Sequence, residues 1–302
     1  MDSILVYGNC QCKVIADYLS EQPALKHSKI NYFFVTHPIE MLNLEFVDKV
    51  DVFIYQHVKA TSLVSQNPKL NLEGYTPEGL IRRMKPFVQT ISIPSIYFSE
   101  LYPDTYSTDE IIQKIPPFIK VDWFFNHTFN KKIFDAIHQG KTTRDIKSYF
   151  LDPHLYTDEY LDYHSRMSFG NLKTREDQNK VDISVSEFLI KHFKKKRLTW
   201  TTNHPTKFVF NYIIHEILKL LELPPDETLL DRPDKLDQDI FPILACMRRY
   251  LDLDDFEFTN RMRVNQRKFL SLEELIQFYK DVLSGKDIAR EYPQETMAKR
   301  TD

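Results

Sequence analysis

The stretch Ser3-Ile-Leu-Val-Tyr-Gly-Asn-Cys-Gln-Cys-Lys13 decides the fold. Ile4, Leu5 and Val6 make a short apolar run, the mark of a buried strand. The run stops at Gly8. A helical pattern then begins, with Val14, Ile15, Tyr18 and Leu19 on one face. Cys10 therefore falls at the junction of strand and helix. The unpaired N–H groups and the dipole of a helix N-terminus favour negative charge. A thiol placed there is expected to ionise below its ordinary value of about 8.5, and the thiolate is the reactive form. The same amides suit a phosphate or an oxyanion. Gly8 lets the backbone turn without a clashing Cβ. Asn9 and Gln11 place side-chain amides beside the thiol.

Outward from this turn, strand and helix alternate through the first hundred residues. Strands are predicted at 3–8, 30–36, 51–56 and 88–93, and helices near 11–22, 38–48 and 76–85. This is the pattern of an α/β fold: a parallel sheet with helices on its faces. Ligands of such sheets bind outside the carboxyl ends of the strands. Gly8-Asn-Cys-Gln and Tyr55-Gln-His-Val both fall at such ends. Residues 94–107 are rich in Pro and aromatics and read as a loop, and 110–197 read as large helical insertions. A further strand, Leu198-Thr-Trp-Thr-Thr, leads to Asn203-His-Pro-Thr and a helix running to about 222, with Asn203 and Pro205 as its start signals. Pro224-Pro225 closes an α/β domain of residues 1–224. Residues 225–302 form a charged, mostly helical C-terminal extension, with helices at 240–251 and 271–284.

The chain has 302 residues, 42% of them apolar, and a net charge of -3. Such a balance gives no general attraction to nucleic acid or to anionic membrane. No apolar run approaches the roughly 20 residues that span a bilayer. The N-terminus enters a strand without the charged and apolar regions of a signal peptide. The three cysteines, Cys10, Cys12 and Cys246, make no disulfide framework, and no Cys/His spacing fits a structural zinc site. A cytoplasmic protein without metal is expected, possible as a homo-oligomer.

Chemistry concentrates in a few places. Cys10 reads as a nucleophile or as a small buried residue at a tight turn; Cys12, one turn on, reads as structural. His204 reads as a general base at a late strand end, or as a loop residue before proline. Gln56 and His57 end the third strand and line the same crevice if they contact ligand; Asn126-His127 is a weaker parallel. Lys191-His-Phe-Lys-Lys-Lys-Arg197 is the densest basic run, either a solvated helix end or a phosphate clamp. There is no P-loop, G-x-G-x-x-G, H-E-x-x-H or G-x-S-x-G.

Taken together, Tyr7-Gly-Asn-Cys-Gln, Tyr55-Gln, Pro94-Ser-Ile-Tyr-Phe with Tyr102-Pro-Asp, Arg175-Glu with Val181-Asp-Ile, and Leu198-Thr-Trp-Thr-Thr-Asn-His-Pro-Thr resemble the WcbI-type polysaccharide biosynthesis family over about residues 3–222. The topology also resembles that of SGNH hydrolases and flavodoxin-like cores, with Cys10 where the hydrolases place serine. The resemblance implies an acyl transferase, specifically an acetyltransferase, acting on a capsular or exopolysaccharide sugar with acyl-coenzyme A as donor. Cys10 and His204 would be catalytic. Gly8, Asn9, Gln11, Gln56, His57 and Asn203 would form the oxyanion and substrate contacts. The alternatives are a thiol-dependent glycan esterase and a non-catalytic glycan- or nucleotide-binding module. The charged extension lies outside this pattern.

Overall fold

The structure, a computed structural model, describes residues 1–35, 37–57, 72–105, 130–225, 230–237, 240–253 and 271–286. In chain order the strands are β1 (Ser3–Gly8), β2 (Lys29–Phe34), β3 (Val52–Gln56), β4 (Gln89–Ile93), β5 (Thr199–Thr201) and β6 (His204–Pro205). The helices are α1 (Gln11–Ser20), α2 (Leu44–Val47), α3 (Pro77–Arg83), α4 (Lys131–His138), α5 (Thr143–Leu151), α6 (Asp158–Asn179), α7 (Ser186–His192), α8 (Lys207–Leu220), α9 (Ala245–Leu251) and α10 (Leu272–Leu283). They group into two compact units. The first holds Met1–Ile96, Leu172–Leu189 and Lys207–Asp234; the second holds Tyr97–Asn171, Ile190–Thr206 and Lys235–Asp302.

The first unit is built on a four-stranded parallel sheet of order β2-β1-β3-β4, the arrangement expected of an α/β protein. This order matches the first four strands of flavodoxin-like sheets. Leu5, Tyr7, Phe33 and Phe53 face one side of it and pack with Val47 and Leu80, while Ile4 and Val6 are buried on the other side. Burial on both faces explains why β1 reads as a continuous apolar run. Asp182 covers the free edge of β4. Its carboxylate accepts from the N–H and Oγ of Ser92, at 2.7 and 2.8 Å, and its own N–H donates to the Ser92 carbonyl at 3.0 Å. Glu176 is buried and accepts from the N–H groups of Val185 and Ser186, at 2.7 and 3.0 Å, at the start of α7. A strap at 230–234 binds the start of α8: Asp234 accepts from the Lys207 N–H at 2.6 Å, and the Lys207 ammonium donates to the carbonyls of Leu230 and Arg232.

The second unit packs α5 against α4, α9 and α10. A short antiparallel hairpin, β5–β6, turns over Thr202 and Asn203. Arg197 is almost fully buried beside it. The guanidinium donates to Tyr102 Oη at 3.0 Å, to the Thr199 carbonyl at 3.2 Å and to the Phe241 carbonyl, and lies over the Trp200 ring. Tyr102 in turn donates to the Trp200 carbonyl at 2.8 Å.

Several boundaries differ from the sequence expectation. The helix expected at 38–48 is a 3-10 turn at Ile39–Met41 followed by α2, because Leu42 is extended and the Asn43 side chain, accepting from Phe46 N–H, starts a new helix. The late strand is not a fifth parallel strand; it pairs with β6. Pro205 does not open α8, which begins at Lys207. A residue before proline is driven toward extended backbone, so His204 prolongs the hairpin instead of entering the helix. The helix expected from 240 starts at Ala245, after Pro242. Asn126-His127 lies outside the described residues. Among the described residues no helix is long and apolar enough to cross a membrane.

Candidate functional site at the carboxyl end of β1

Cys10 is the N-cap residue of α1, partly exposed, at the carboxyl end of β1. The turn that carries it is fixed by two buried glutamines. Gln56 Oε1 accepts from the Asn9 N–H at 2.8 Å, and Gln56 Nε2 donates to Gln11 Oε1 at 3.0 Å and to the Pro94 carbonyl at 3.3 Å. Gln11 Nε2 donates to the Ile96 carbonyl at 2.8 Å, and its Oε1 also accepts from the Ile96 N–H at 3.1 Å. The ends of β1, β3 and β4 are thereby tied together. Gly8 is closely packed: a Cβ there would sit 2.2 Å from Gln56 Oε1, so the Gln56 side chain would have to shift. Gln11 and Gln56, expected as ligand contacts, thus have their amides turned into the protein.

Asn9 behaves differently. Its Oδ1 accepts from the Gln11 N–H at 2.9 Å, so that amide is not a free oxyanion donor as expected. Its Nδ2 is buried with no hydrogen-bond partner among the described residues. An orphan donor of this kind is costly unless something accepts from it.

The expected low thiol pKa is not found. Burial pushes the Cys10 thiol up to about 11, outweighing the Cys10 and Gln11 amides that favour the thiolate. Cys12 is fully buried with its sulfur 3.4 Å from the Phe33 carbonyl, a packing role as expected.

His57 follows the last residue of β3. Its Nδ1 lies 3.5 Å from Glu78 Oε1 on α3, and its ring meets Tyr55 edge-on at 5.1 Å. Asn203 and His204 belong to the second unit, at and after the turn of the β5–β6 hairpin, where Asn203 Oδ1 accepts from Thr201 Oγ1 at 3.0 Å. The basic run divides: Lys194, Lys195 and Lys196 are exposed, while Arg197 turns inward. Arg197 is therefore no phosphate clamp. Sequence reasoning also passed over Glu100, fully buried, whose Oε1 accepts from Ser165 Oγ at 2.8 Å and whose carboxyl burial lifts to about 7. Glu78 was missed as well; its place in the first turn of a helix was the available signal.

A parallel sheet with a cysteine between the first strand and the first helix defines an α/β protein with a thiol at the carboxyl end of its first strand. The family described as polysaccharide biosynthesis enzyme WcbI matches residues 3–226, and the chain belongs to it. No curated protein matches the chain. The solved structure of WcbI, a novel polysaccharide biosynthesis enzyme, is similar with a TM-score of 0.70 at 19% identity, covering 94% of this chain and 90% of that one. That structure is of the native protein without a disulfide bond between coenzyme A and one of its cysteines. The likeness establishes the shared α/β fold.

Proposed function

We propose that the protein transfers an acyl group, specifically acetyl, from acyl-coenzyme A to a hydroxyl of a capsular or exopolysaccharide sugar, in the cytoplasm where that donor is made. One observation carries the reading: Cys10 caps α1 at the carboxyl end of β1, beside the buried and unpartnered Asn9 Nδ2. The similar WcbI structure, described as free of a disulfide between coenzyme A and one of its cysteines, supports the choice of donor.

When bound, the donor supplies a carbonyl activated by a thiol leaving group. Asn9 Nδ2 donates to the oxyanion that develops on that carbonyl, a contribution of about 3–4 kcal/mol for one well-placed donor. Cys10 acts as nucleophile. Because burial holds its thiol protonated at neutral pH, a base must take the proton. Gln11 and Gln56 position the turn, and Asn203 belongs to the substrate contacts.

The test follows release of the free thiol from acetyl-coenzyme A, with and without sugar acceptors. Cys10→Ser is expected to lower turnover about 10³-fold or more while coenzyme binding changes little. A parent-like rate in that variant reduces Cys10 to a packing residue. Release that no sugar accelerates makes the protein an esterase instead.

A further inference from the structure

We infer that His57, oriented by Glu78, is the proton acceptor for the sugar hydroxyl, so that the first unit carries the base for the second half of the transfer. The inference rests on the acyl-transfer reading and deepens it. His57 leaves β3 beside the end of β1, since the two strands pair in parallel through Tyr7 and Tyr55. Two buried polar atoms without a partner among the described residues stand at these adjacent strand ends: Asn9 Nδ2 and His57 Nε2.

Their chemistry is complementary. The Glu78 carboxylate, 3.5 Å from Nδ1, favours the tautomer with its proton on Nδ1. Nε2 is then a lone-pair acceptor, whereas Asn9 Nδ2 is a donor. An acyl transfer to an alcohol requires both: a donor to the oxygen of the electrophile, and an acceptor for the proton of the nucleophile. The ring is held by the stack Phe53–Tyr55, at 5.1 Å, and by its own edge contact with Tyr55. The titratable groups facing it are Glu78 from α3 and Tyr55 from β3.

The step balances as follows. The hydroxyl oxygen bonds to the acyl carbon, and the bond from that carbon to the Cys10 sulfur breaks. The hydroxyl proton passes to His57 Nε2. The imidazolium then returns a proton to the Cys10 thiolate, directly or through water, and both groups are restored.

Single-turnover and steady-state measurements separate the two halves. Acetylation of Cys10 by acetyl-coenzyme A is read by intact mass, and turnover by thiol release with water or methyl β-D-glucopyranoside as acceptor. His57→Asn is expected to acetylate Cys10 at the parent rate and to lose about 100-fold or more in turnover. Hydroxylamine, a nucleophile that needs no base, is expected to discharge the acetyl group from parent and variant alike. Glu78→Gln, a change at an exposed carboxylate, is expected to keep acetylation and lose about tenfold in turnover, the lower range for a group that only orients the base. Equal loss in both halves, unchanged turnover in His57→Asn, or a variant that hydroxylamine fails to discharge overturns the inference. Should His57→Asn not fold, unchanged turnover in Glu78→Gln overturns it alone. A parent protein that neither acetylates Cys10 nor releases thiol overturns the acyl-transfer reading itself, and the inference with it.

Discussion

The turn after β1 is fixed by neutral amides, and the β5–β6 hairpin by a buried cation. At the turn, Gln56 and Gln11 exchange donors and acceptors with each other and with the main chain of residues 9, 94 and 96. At the hairpin, one guanidinium gathers the Tyr102 hydroxyl and the carbonyls of Thr199 and Phe241. Neutral amides cost little to bury once paired. Both regions keep a buried polar atom without a hydrogen-bond partner among the described residues, Asn9 Nδ2 at the turn and Trp200 Nε1 and Thr206 Oγ1 at the hairpin. A buried cation costs far more to desolvate and is kept only when its acceptors are all present. The first arrangement is a lattice of neutral amides, and the second gathers acceptors around one cation.

The sharpest way to break that contrast is Arg197→Leu. Removing the guanidinium leaves buried acceptors unpaired, and bonds to a charged donor contribute about 1.5–3 kcal/mol each. The variant is expected to lose about 4 kcal/mol in urea unfolding, counting two such bonds. A parent-like midpoint would show that the hairpin does not depend on the cation. Gly8→Ala comes next. The added Cβ meets Gln56 Oε1 at 2.2 Å and Gln56 Cδ at 2.8 Å, and Gln56 is itself tied on three sides. Overpacking of this kind costs about 1–3 kcal/mol, and turnover should fall with it because the Asn9 and Cys10 backbone shifts. An unchanged midpoint and rate would mean that the glutamine lattice does not set the turn.

Much of the first region was legible because its signals are local. Short apolar runs gave β1 to β4, and the change of period at Gly8 located Cys10. The second region was read less well because its determinants are distant in the chain. Arg197 carries the same charge as Lys194, Lys195 and Lys196, and only Tyr102 and Phe241 turn it inward. The partner of β5 was hidden by Pro205, which resembles a helix start until the extended preference of His204 is weighed. In the site, Gln11 and Gln56 were recognised as important but given ligand contacts. The structure also pairs them with each other, 45 residues apart, a pairing that no local pattern encodes. The thiol was misjudged because the helix-terminus argument ignores burial, and burial dominates here.

Glu100 sharpens the contrast from the side of charge. It is an acid buried in the same unit as the hairpin, with one oxygen bonded to Ser165 and the other without a partner among the described residues. Burial raises its carboxyl from 4.5 to about 7. The folded protein therefore binds this proton more tightly than the unfolded chain does. Its contribution to stability is full below 4.5 and is lost as pH rises to about 7. Glu100→Gln removes the ionisation and keeps an acceptor for Ser165. The variant is expected to match the parent near pH 4 and to exceed it by about 3 kcal/mol at pH 8, from a shift of this size. Parallel stability curves for the two proteins would show that the carboxyl is hydrated in solution.

The smallest effect is expected at the exposed lysines that precede Arg197. If Lys194, Lys195 and Lys196 held the coenzyme's phosphates, changing all three to Gln would weaken coenzyme A binding. Dephospho-coenzyme A binding would weaken less, and the difference would shrink at high salt, where exposed charges are screened. The lysines are exposed just beyond the end of α7, where cations complement the dipole, whereas the Arg197 side chain turns inward to Tyr102. Exposed charge contacts contribute about 0.2–1 kcal/mol each, so a clamp of three would shift binding by up to about 3 kcal/mol, more than a hundredfold in affinity. Isothermal titration of the triple variant with both ligands is expected to show affinities within about twofold of the parent, the range of weak surface effects. A selective loss of coenzyme A affinity larger than that would return the lysines to the binding site.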